Sequence, residues 1–312
     1  MNASNSCSFR DVDNLMKYFH LVIYIPTFIC GLILNVLALW VFCYSLRKWT
    51  ESSIYMMNLA VADLLLLLSF PFKIHFSTSD HQGPKLLCAF MESIYFVNMY
   101  GSIFIITCIS LDRYVVIKHP FKARLLRSPK KALLTCCCIW MVVWLGSIPI
   151  YDFHGTNDQT IRCFHNISDK SWNAPIIFSL EIFGFLIPLA IVAYCSIQII
   201  KTLVHHRKVE QETTDYTECI FIITANFVSF VICFTPSHLG IFLQFLVRQH
   251  AISDCSMMQN ISLFIQMTMC LANINCCLDA ICYYFAAKEF RVGTDRGLIL
   301  KKTTSVVNSS TG

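Results

Sequence analysis

Charged residues are scarce in this sequence. Asp, Glu, Lys and Arg make up 14% of its 312 residues, whereas a typical soluble domain holds about 25%. Hydrophobic residues make up 56%. This composition excludes a soluble globular domain and indicates a membrane protein.

Long apolar runs fill the sequence instead. A helix needs about 20 apolar residues to cross the hydrocarbon core of a bilayer. Strands of a membrane barrel would be about ten residues long and would alternate, so runs of this length predict an all-α bundle of seven transmembrane helices over residues 18–284. The seven runs are residues 18–44, 53–76, 86–117, 131–151, 173–203, 217–247 and 257–284.

Lysine and arginine are distributed unevenly around these runs. The segments “SLRKWTESS”, “IKHPFKARLLRSPKK” and “IKTLVHHRK” and the tail after Tyr284 hold 16 of the 24. Because cytoplasmic loops are rich in these residues, we predict a multi-pass plasma-membrane protein whose residues 1–17 are extracellular. Residues 1–17 are polar and lack the apolar core of a cleavable signal. The net charge of +5 follows from the inner loops and needs no nucleic-acid partner.

Three absences narrow the class of seven-helix protein. Retinal proteins need a lysine in the last helix, and residues 257–284 contain none. Residues 18–151 and 173–284 show no matching halves, which many transporters have. No paired ligands stand at a spacing typical of a metal site.

The outer segments carry candidate sites for covalent modification. Thirteen of the 17 cysteines lie inside apolar runs, as small buried hydrophobes do. The oxidising exterior favours two disulfides among the other four, with three connectivities open. These four are Cys7, Cys88, Cys163 and Cys255. Asn2 in “NAS” and Asn166 in “NIS” are predicted glycosylation sites.

Two acids interrupt the apolar runs. Asp63 stands in “NLAVADLLLLL” and Asp279 in “NINCCLDAICYYF”. An ionised acid at a helix centre costs about 2.5–3.5 kcal/mol on insertion scales, so such acids usually face a polar interior and have a function. Two neighbouring carboxylates need a cation or a proton between them. Asp63 and Asp279 are therefore predicted to share one polar pocket.

The third run ends in “SLDRYVVIKHP”, which resembles the Asp-Arg-Tyr motif of rhodopsin-like (class A) G-protein-coupled receptors. The resemblance extends over residues 18–292 and includes one feature in each of the other runs. These features are Asn35, “NLAVAD”, Trp140, Pro188, Pro236 and “LDAICYYF”.

The resemblance implies a receptor, not an enzyme, with a heterotrimeric G protein and arrestin as partners. G-protein coupling would rest on Asp112, Arg113, Tyr114 and Tyr283, with Arg113 released from Asp112 on activation. Residues 285–312 would form a short amphipathic eighth helix and a cytoplasmic tail.

The resemblance also implies a sodium ion as an allosteric modulator. The sodium pocket would consist of Asp63, Asn98, Ser102, Asn275 and Asp279, beside Asn35. The family joins Cys88 to Cys163, and Cys7 with Cys255 is the second predicted pair.

Several positions depart from the family pattern. Ala280 replaces the proline of the seventh-run motif, so a smaller kink is expected there. Phe234 stands where tryptophan is commoner, and Ser196 stands where the family offers a tyrosine to Arg113. Tyr216 occupies a position where some relatives carry an acid that pairs with the arginine. These departures predict a loosely held resting state and basal activity.

The outer half of the bundle predicts an anionic ligand. Amine receptors carry an aspartate 18 residues before the arginine, where this chain has Tyr95. Lys73 in “SFPFKIHF” would, in the family frame, point into the ligand cavity, where a desolvated ammonium pairs with an anion. Two alternatives stay open: Lys73 extends to the outer interface, or Glu92 neutralises it.

Candidate ligand residues combine a basic rim with apolar side chains below it. Such a site suits an acidic head group and an acyl chain, as in an anionic lysophospholipid. The candidates are Lys73, Glu92, Tyr95, Phe96, Met99, Arg162, Phe164, His165, His238, Ile241, Phe242, Gln266 and Met269.

Five stretches look most like lysophosphatidylinositol-responsive receptors of this family: “SIYFVNMYGS”, “GSIPIYDFHG”, “CFHNISD”, “HLGIFLQFLVR” and “NINCCLDAICYYF”. This closer resemblance implies lysophosphatidylinositol as ligand and signalling through the G-alpha twelve/thirteen and q classes to Rho and calcium. A receptor for small aromatic carboxylic acids (kynurenate-like) is the alternative within the family. A seven-helix channel or transporter is the alternative outside it.

Overall fold

The computed structural model describes residues 7–45, 49–78, 83–152, 160–161, 172–210 and 214–309. Side chains are described over the same ranges except at 45, 77–78, 124, 126, 151–152, 160–161, 208–210, 214–218 and 283–309.

Helices make up nearly all of the described chain. They are α1 (Arg10–Trp40), α2 (Glu51–Thr78), α3 (Lys85–Lys118), α4 (Pro120–Leu126), α5 (Pro129–Gly146), α6 (Ala174–Ser179), α7 (Ile187–Glu210), α8 (Thr214–Arg248) and α9 (Cys255–Ser309). A π-helical segment at Val41–Ser45 follows α1, another at Leu180–Leu186 joins α6 to α7, and a 3₁₀ turn at Ile148–Asp152 follows α5. Strand β1 (Gly83–Pro84) pairs antiparallel with β2 (Thr160–Ile161), with Gly83 opposite Ile161.

Seven helical stretches are long and apolar enough to cross a membrane. Lipid offers no hydrogen-bond partner to the backbone, and a continuous helix satisfies its own N–H and C=O groups. The predicted all-α seven-helix bundle is confirmed. In chain order, spans 1 to 7 are Arg10–Tyr44, Glu51–Phe76, Lys85–Lys118, Pro129–Ile150, Ala174–Arg207, Cys219–Arg248 and Cys255–Cys282.

Span 1 begins well before its apolar run. The predicted start was residue 18, whereas the helix starts at Arg10. Its first turn contains Asp11 and Asp13, and carboxylates stabilise the positive end of a helix dipole. Polar residues thus extend this helix beyond the part that hydropathy detects.

The last helix continues without a break through span 7 to Ser309. Ala280 keeps the backbone N–H that a proline would remove, and the helix is not interrupted there. A separate eighth helix after residue 284 is not distinguished from α9 in the described chain, so it stays a prediction.

Polar side chains join neighbouring spans inside the bundle. Asn35 is fully buried, and its Nδ2 donates to the carbonyl oxygens of Gly31 and Cys276, each at 3.0 Å. Trp140 Nε1 donates to Asn58 Oδ1 at 3.0 Å, which joins span 4 to span 2. Such interhelical bonds average about 0.6 kcal/mol. Their main effect is to define which residues face each other.

The half of the bundle that holds the amino-terminal segment is called the outer half, and the opposite half the inner half. Span 5 changes geometry in its outer half. Pro188 lacks an N–H, and its ring clashes with the carbonyl four residues earlier, at Gly184. The segment Leu180–Leu186 accommodates this as a π-helix. A Cβ on Gly184 would lie only 2.6 Å from Tyr100 Cε1, so span 5 packs closely on span 3. This segment buries Glu181 inside the bundle.

A disulfide joins the amino-terminal segment to the start of span 7. Cys7 is bonded to Cys255, which confirms that predicted pair. Beside it, Gln259 Nε2 donates to the Ser8 carbonyl oxygen at 2.6 Å. The segment before span 1 is thus held against span 7.

Cys88 at the outer end of span 3 is also disulfide-bonded. Its predicted partner, Cys163, lies outside the described residues, as do Asn2 and Asn166. The Cys88–Cys163 bond and both glycosylation sites stay predictions.

Replacing Cys7 with Ser is expected to lower the melting temperature of the purified protein. Native disulfides contribute about 2–4 kcal/mol, and this one connects the amino-terminal segment to span 7. Tryptophan fluorescence in detergent micelles measures the change. Cys30→Ser is the matched control, because Cys30 is exposed and free. Equal melting temperatures for Cys7→Ser and wild type would contradict the expectation.

Candidate functional site

Lys73 is buried in the outer half of the bundle, with 9% of its surface exposed. Its ammonium nitrogen lies 4.0 Å from the ring centroid of Tyr95 and 5.2 Å from that of Tyr24. Glu92 is near enough to attract it electrostatically. The ammonium therefore stays inside the bundle and does not extend to the outer interface.

The apolar candidates pack beside one another in two clusters. Phe96 and Met99 lie against the central core. Met99 also contacts an outer cluster formed by spans 5, 6 and 7. That outer cluster includes Ile241, Phe242 and Met269. The structure thus brings residues from distant parts of the chain to one apolar surface.

Of the other ligand candidates, one lies in span 7 and three lie outside the described residues. Gln266 Nε2 donates to Ser262 Oγ at 3.4 Å, within span 7. Arg162, Phe164 and His165 lie outside the described residues, so the predicted basic rim stays a prediction.

Glu181 was not among the predicted site residues, yet it pairs with one of them. Its Oε2 lies 3.2 Å from Nδ1 of His238, and the two residues are 9% and 1% exposed. The His238 ring stacks on Phe185 with 4.1 Å between centroids. The sequence did contain a signal, because Glu181 is the one acid in span 5 and buried acids in membrane helices mark functional sites.

Asp63 and Asp279 both face the interior of the bundle. They are 1% and 6% exposed and interact electrostatically. Asn98 Nδ2 donates to Asp63 Oδ1 at 3.3 Å, and Asn275 Nδ2 donates to Asp279 Oδ2 at 2.6 Å. Ser102, also buried, follows one helical turn after Asn98 on the same face of span 3.

The side chains of the predicted sodium pocket and the adjoining Asn35 carry oxygen atoms of the kind that a small cation binds. Four buried oxygen atoms accept no hydrogen bond from any residue that the structure describes: Asn35 Oδ1, Asp63 Oδ2, Ser102 Oγ and Asn275 Oδ1. Carboxylate, amide and hydroxyl oxygens suit hard cations. Sodium, which the resemblance implies, would offset the repulsion between the carboxylates.

At the inner end of the bundle, Asp112 pairs with Arg127 and not with Arg113. Arg127 Nε and Nη2 donate to the two Asp112 carboxylate oxygens at 2.9 and 3.1 Å. The same Nη2 lies 3.0 Å from Glu51 Oε2, and Ser52 Oγ donates to Asp112 Oδ2. Arg127 follows α4 and reaches Asp112 in the bidentate geometry that carboxylates favour.

Arg113 instead lines a cavity at the inner end of the bundle. Ser196, which stands in the usual tyrosine position, lines the same cavity. The remaining lining residues are Met56, Leu59, Ile106, Ile109, Ser110, Ile199, Ile223, Asn226, Asp279 and Cys282. Tyr114 packs beside Tyr194, with 5.8 Å between ring centroids. The side chains of Tyr216 and Tyr283 lie outside the described residues.

Asp63→Asn is expected to abolish stabilisation by sodium. A ligand at ten times its dissociation constant stabilises the state that binds it by about 1.4 kcal/mol, and Asp63 would supply a charged oxygen to the ion. Melting temperatures in sodium and in potassium at equal ionic strength measure the effect. Asp13→Asn, at the outer end of span 1, is the control and should keep the wild-type difference. An undiminished sodium effect in Asp63→Asn would contradict the prediction.

Comparison with known proteins identifies the bundle. Residues 34–283 match the seven-transmembrane receptors of the rhodopsin family. Human G-protein coupled receptor 55 is 48% identical over 295 residues, which cover 93% of this chain and 92% of that receptor. Human G-protein coupled receptor 35 is 38% identical over 264 residues, 84% of this chain and 82% of the relative. Human lysophosphatidic acid receptor 4 is 34% identical over 296 residues, 93% and 79% of the two chains.

The family match at residues 34–283 includes the residues of the polar pocket and of the inner cavity. The similarity to human G-protein coupled receptor 55 extends over 92% of that relative. The predicted resemblance is confirmed, and the channel or transporter alternative loses its support. The chain belongs to the rhodopsin family of G-protein-coupled receptors.

Proposed function

We propose that an anionic lysophospholipid, foremost lysophosphatidylinositol, activates this receptor. The observation that carries the proposal is the burial of Lys73 between Tyr95 and Tyr24. Withdrawing an ammonium from water costs free energy unless an opposite charge compensates for it. Glu92 contributes to that compensation, and the phosphate of a ligand would add charge-assisted hydrogen bonds.

The apolar cluster formed by spans 5, 6 and 7 with Met99 of span 3 suits an acyl chain. Met99, Ile241, Phe242 and Met269 offer thioether, aliphatic and aromatic surface in one place. Each buried CH₂ contributes about 0.8 kcal/mol. A long chain would thus supply most of the affinity, while Lys73 would select for negative charge.

The names of two relatives point to the same ligand class. Human lysophosphatidic acid receptor 4 and chicken lysophosphatidic acid receptor 6, which is 32% identical over 292 residues, are named for a lysolipid with a phosphate head group. The five stretches that resemble lysophosphatidylinositol-responsive receptors favour an inositol-bearing relative of that lipid.

Signalling would proceed from the plasma membrane, with residues 1–17 outside the cell. The excess of Lys and Arg in the alternate loops and the tail supports this orientation. The carboxyl end of a G-alpha subunit, of the twelve/thirteen or q class, would enter the cavity that Arg113 lines, leading to Rho activation and calcium release. Arrestin would bind the Ser- and Thr-containing tail “TTSVVNSSTG”.

The ion pair of Asp112 with Arg127 supports basal activity. Because Arg127 occupies both carboxylate oxygens, Asp112 does not draw Arg113 away from the inner cavity. Arg113 would therefore already line the inner cavity when a G protein binds.

Arg127→Gln is expected to lower basal nucleotide exchange about fivefold. Without the Arg127 charge, Asp112 would attract Arg113, and a shift of about 1 kcal/mol changes an equilibrium fivefold. Exchange on purified G protein, at equal receptor density in membranes, measures the change. Lys122→Gln removes a charge from an exposed position of the same short helix α4 and should leave exchange unchanged. Equal or higher exchange in Arg127→Gln would show that the pair does not hold Arg113 in place.

Lys73→Met is expected to reduce the potency of lysophosphatidylinositol about ten- to hundredfold. Hydrogen bonds to charged groups contribute about 1.5–3 kcal/mol, and methionine keeps most of the volume of lysine. Calcium release and Rho activation in cells with equal surface expression measure potency. Lys17→Met, a cation at the outer end of span 1, is the control.

Each outcome of this experiment bears on the proposal. An unchanged dose response in Lys73→Met would remove Lys73 from the site. A wild-type response to kynurenate, with none to lysophosphatidylinositol or lysophosphatidic acid, would establish the aromatic-acid alternative instead.

A further inference from the structure

Glu181 is an ionisable residue in the outer part of span 5, a region that is otherwise apolar. Buried acids at such depth persist where they serve a function and have a partner. The π-helical segment Leu180–Leu186 buries this residue, and His238 on span 6 is the partner that meets it.

The geometry of the pair is well defined by its surroundings. The His238 ring lies parallel to Phe185, with 4.1 Å between centroids, and nearly perpendicular to Tyr100 at 5.7 Å. Its Nδ1 lies 3.2 Å from Glu181 Oε2. Stacking on one side and an aromatic edge on the other prevent the ring from turning away from the carboxylate.

Two atoms of the pair are left to bind something else. Glu181 Oε1 and His238 Nε2 are buried and have no hydrogen-bond partner among the residues that the structure describes. When Nδ1–H donates to the carboxylate, Nε2 of a neutral imidazole is an acceptor. Glu181 Oε1 can accept a hydrogen bond, and Nε2 donates or accepts one according to the tautomer of His238. A hydroxyl group, which both donates and accepts, therefore suits the pair.

The pair adjoins the proposed ligand surface on the side opposite Lys73. Tyr100, which touches the His238 ring, also lies 4.5 Å from the Phe96 ring. Lys73 belongs to span 2 and rests on rings of spans 1 and 3, whereas Glu181 and His238 belong to spans 5 and 6. The outer half of the bundle thus has a positive pole at Lys73 and a second polar pole at Glu181 and His238.

We infer that Glu181 and His238 form a second recognition point for the ligand, which binds uncharged hydroxyl groups while Lys73 binds the anion. The inference rests on the proposed function and deepens it. A phosphodiester with a polyol head supplies one negative charge and several hydroxyl donors, as the two poles require. A phosphomonoester brings more negative charge and lacks the polyol, so the Glu181 carboxylate disfavours it at this point.

Potency ratios test this assignment. Nucleotide exchange is measured with lysophosphatidylinositol and with lysophosphatidic acid of the same acyl chain, at equal receptor density. Glu181→Gln keeps the shape but removes the charge and replaces an acceptor with a donor. His238→Phe keeps the stacking on Phe185 and removes both ring nitrogens. Each variant is expected to weaken lysophosphatidylinositol about tenfold and to change lysophosphatidic acid less than about twofold.

A double variant and a neighbouring variant separate recognition from folding. Because the two side chains act as one unit, Glu181→Gln combined with His238→Phe should lose little more than either change alone. Ser237→Ala removes a hydroxyl that donates to the Thr268 carbonyl oxygen at 2.8 Å. This control should move both potencies by the same factor.

The possible failures are distinguishable. Parallel losses for both lipids in Glu181→Gln and His238→Phe would show that the pair only supports the fold, and unchanged potencies would show that it does not touch the ligand. Either result overturns the inference while the proposed function stands. A wild-type receptor that responds to neither lipid overturns the proposed function and this inference with it.

Discussion

Polar groups inside this bundle find their partners within the protein, because the surrounding hydrocarbon offers none. Asn35 and Trp140 meet that requirement by bridging spans. Lys73 meets it with aromatic rings and the nearby Glu92, whereas Asp63 meets it only in part, because one of its carboxylate oxygens has no protein donor among the described residues. A buried polar atom that lacks a hydrogen-bond partner in the protein is a position where an external ion or molecule can bind.

Contacts between spans 2 and 3 occur at three levels along the two helices. Lys73 interacts with Glu92, Asp63 accepts a hydrogen bond from Asn98, and Ser52 donates one to Asp112. Coupling between distant sites needs elements with two arrangements that both sites bias. The polar contacts at these levels are suited to that task, since a change in one of them alters the position that the helix prefers.

Much of this arrangement could be read from the sequence, and the exceptions have physical causes. Hydropathy located the seven spans and exposed Asp63 and Asp279, because a charge in an apolar run is visible without any partner. Glu181 carried the same signal, but it is not part of the family motifs from which the site residues were predicted. The pairing of Asp112 with Arg127 depends on how the loop containing α4 returns to the bundle, and no local pattern encodes that path. The early start of span 1 at Arg10 was missed because polar turns of a helix carry no hydropathy signal.

The π-helical segment at Leu180–Leu186 divides span 5 into two parts with different rotational phase. A hydrogen-bonded ring of a π-helix encloses one residue more than an α-helical ring, and one residue corresponds to about 100° around the axis. Deleting a single residue there would turn Glu181 away from His238 while leaving the carboxyl-terminal part of the helix with its present neighbours. A length change at this point would therefore alter which side chains the first part of span 5 presents to the bundle without disturbing the contacts of the second part.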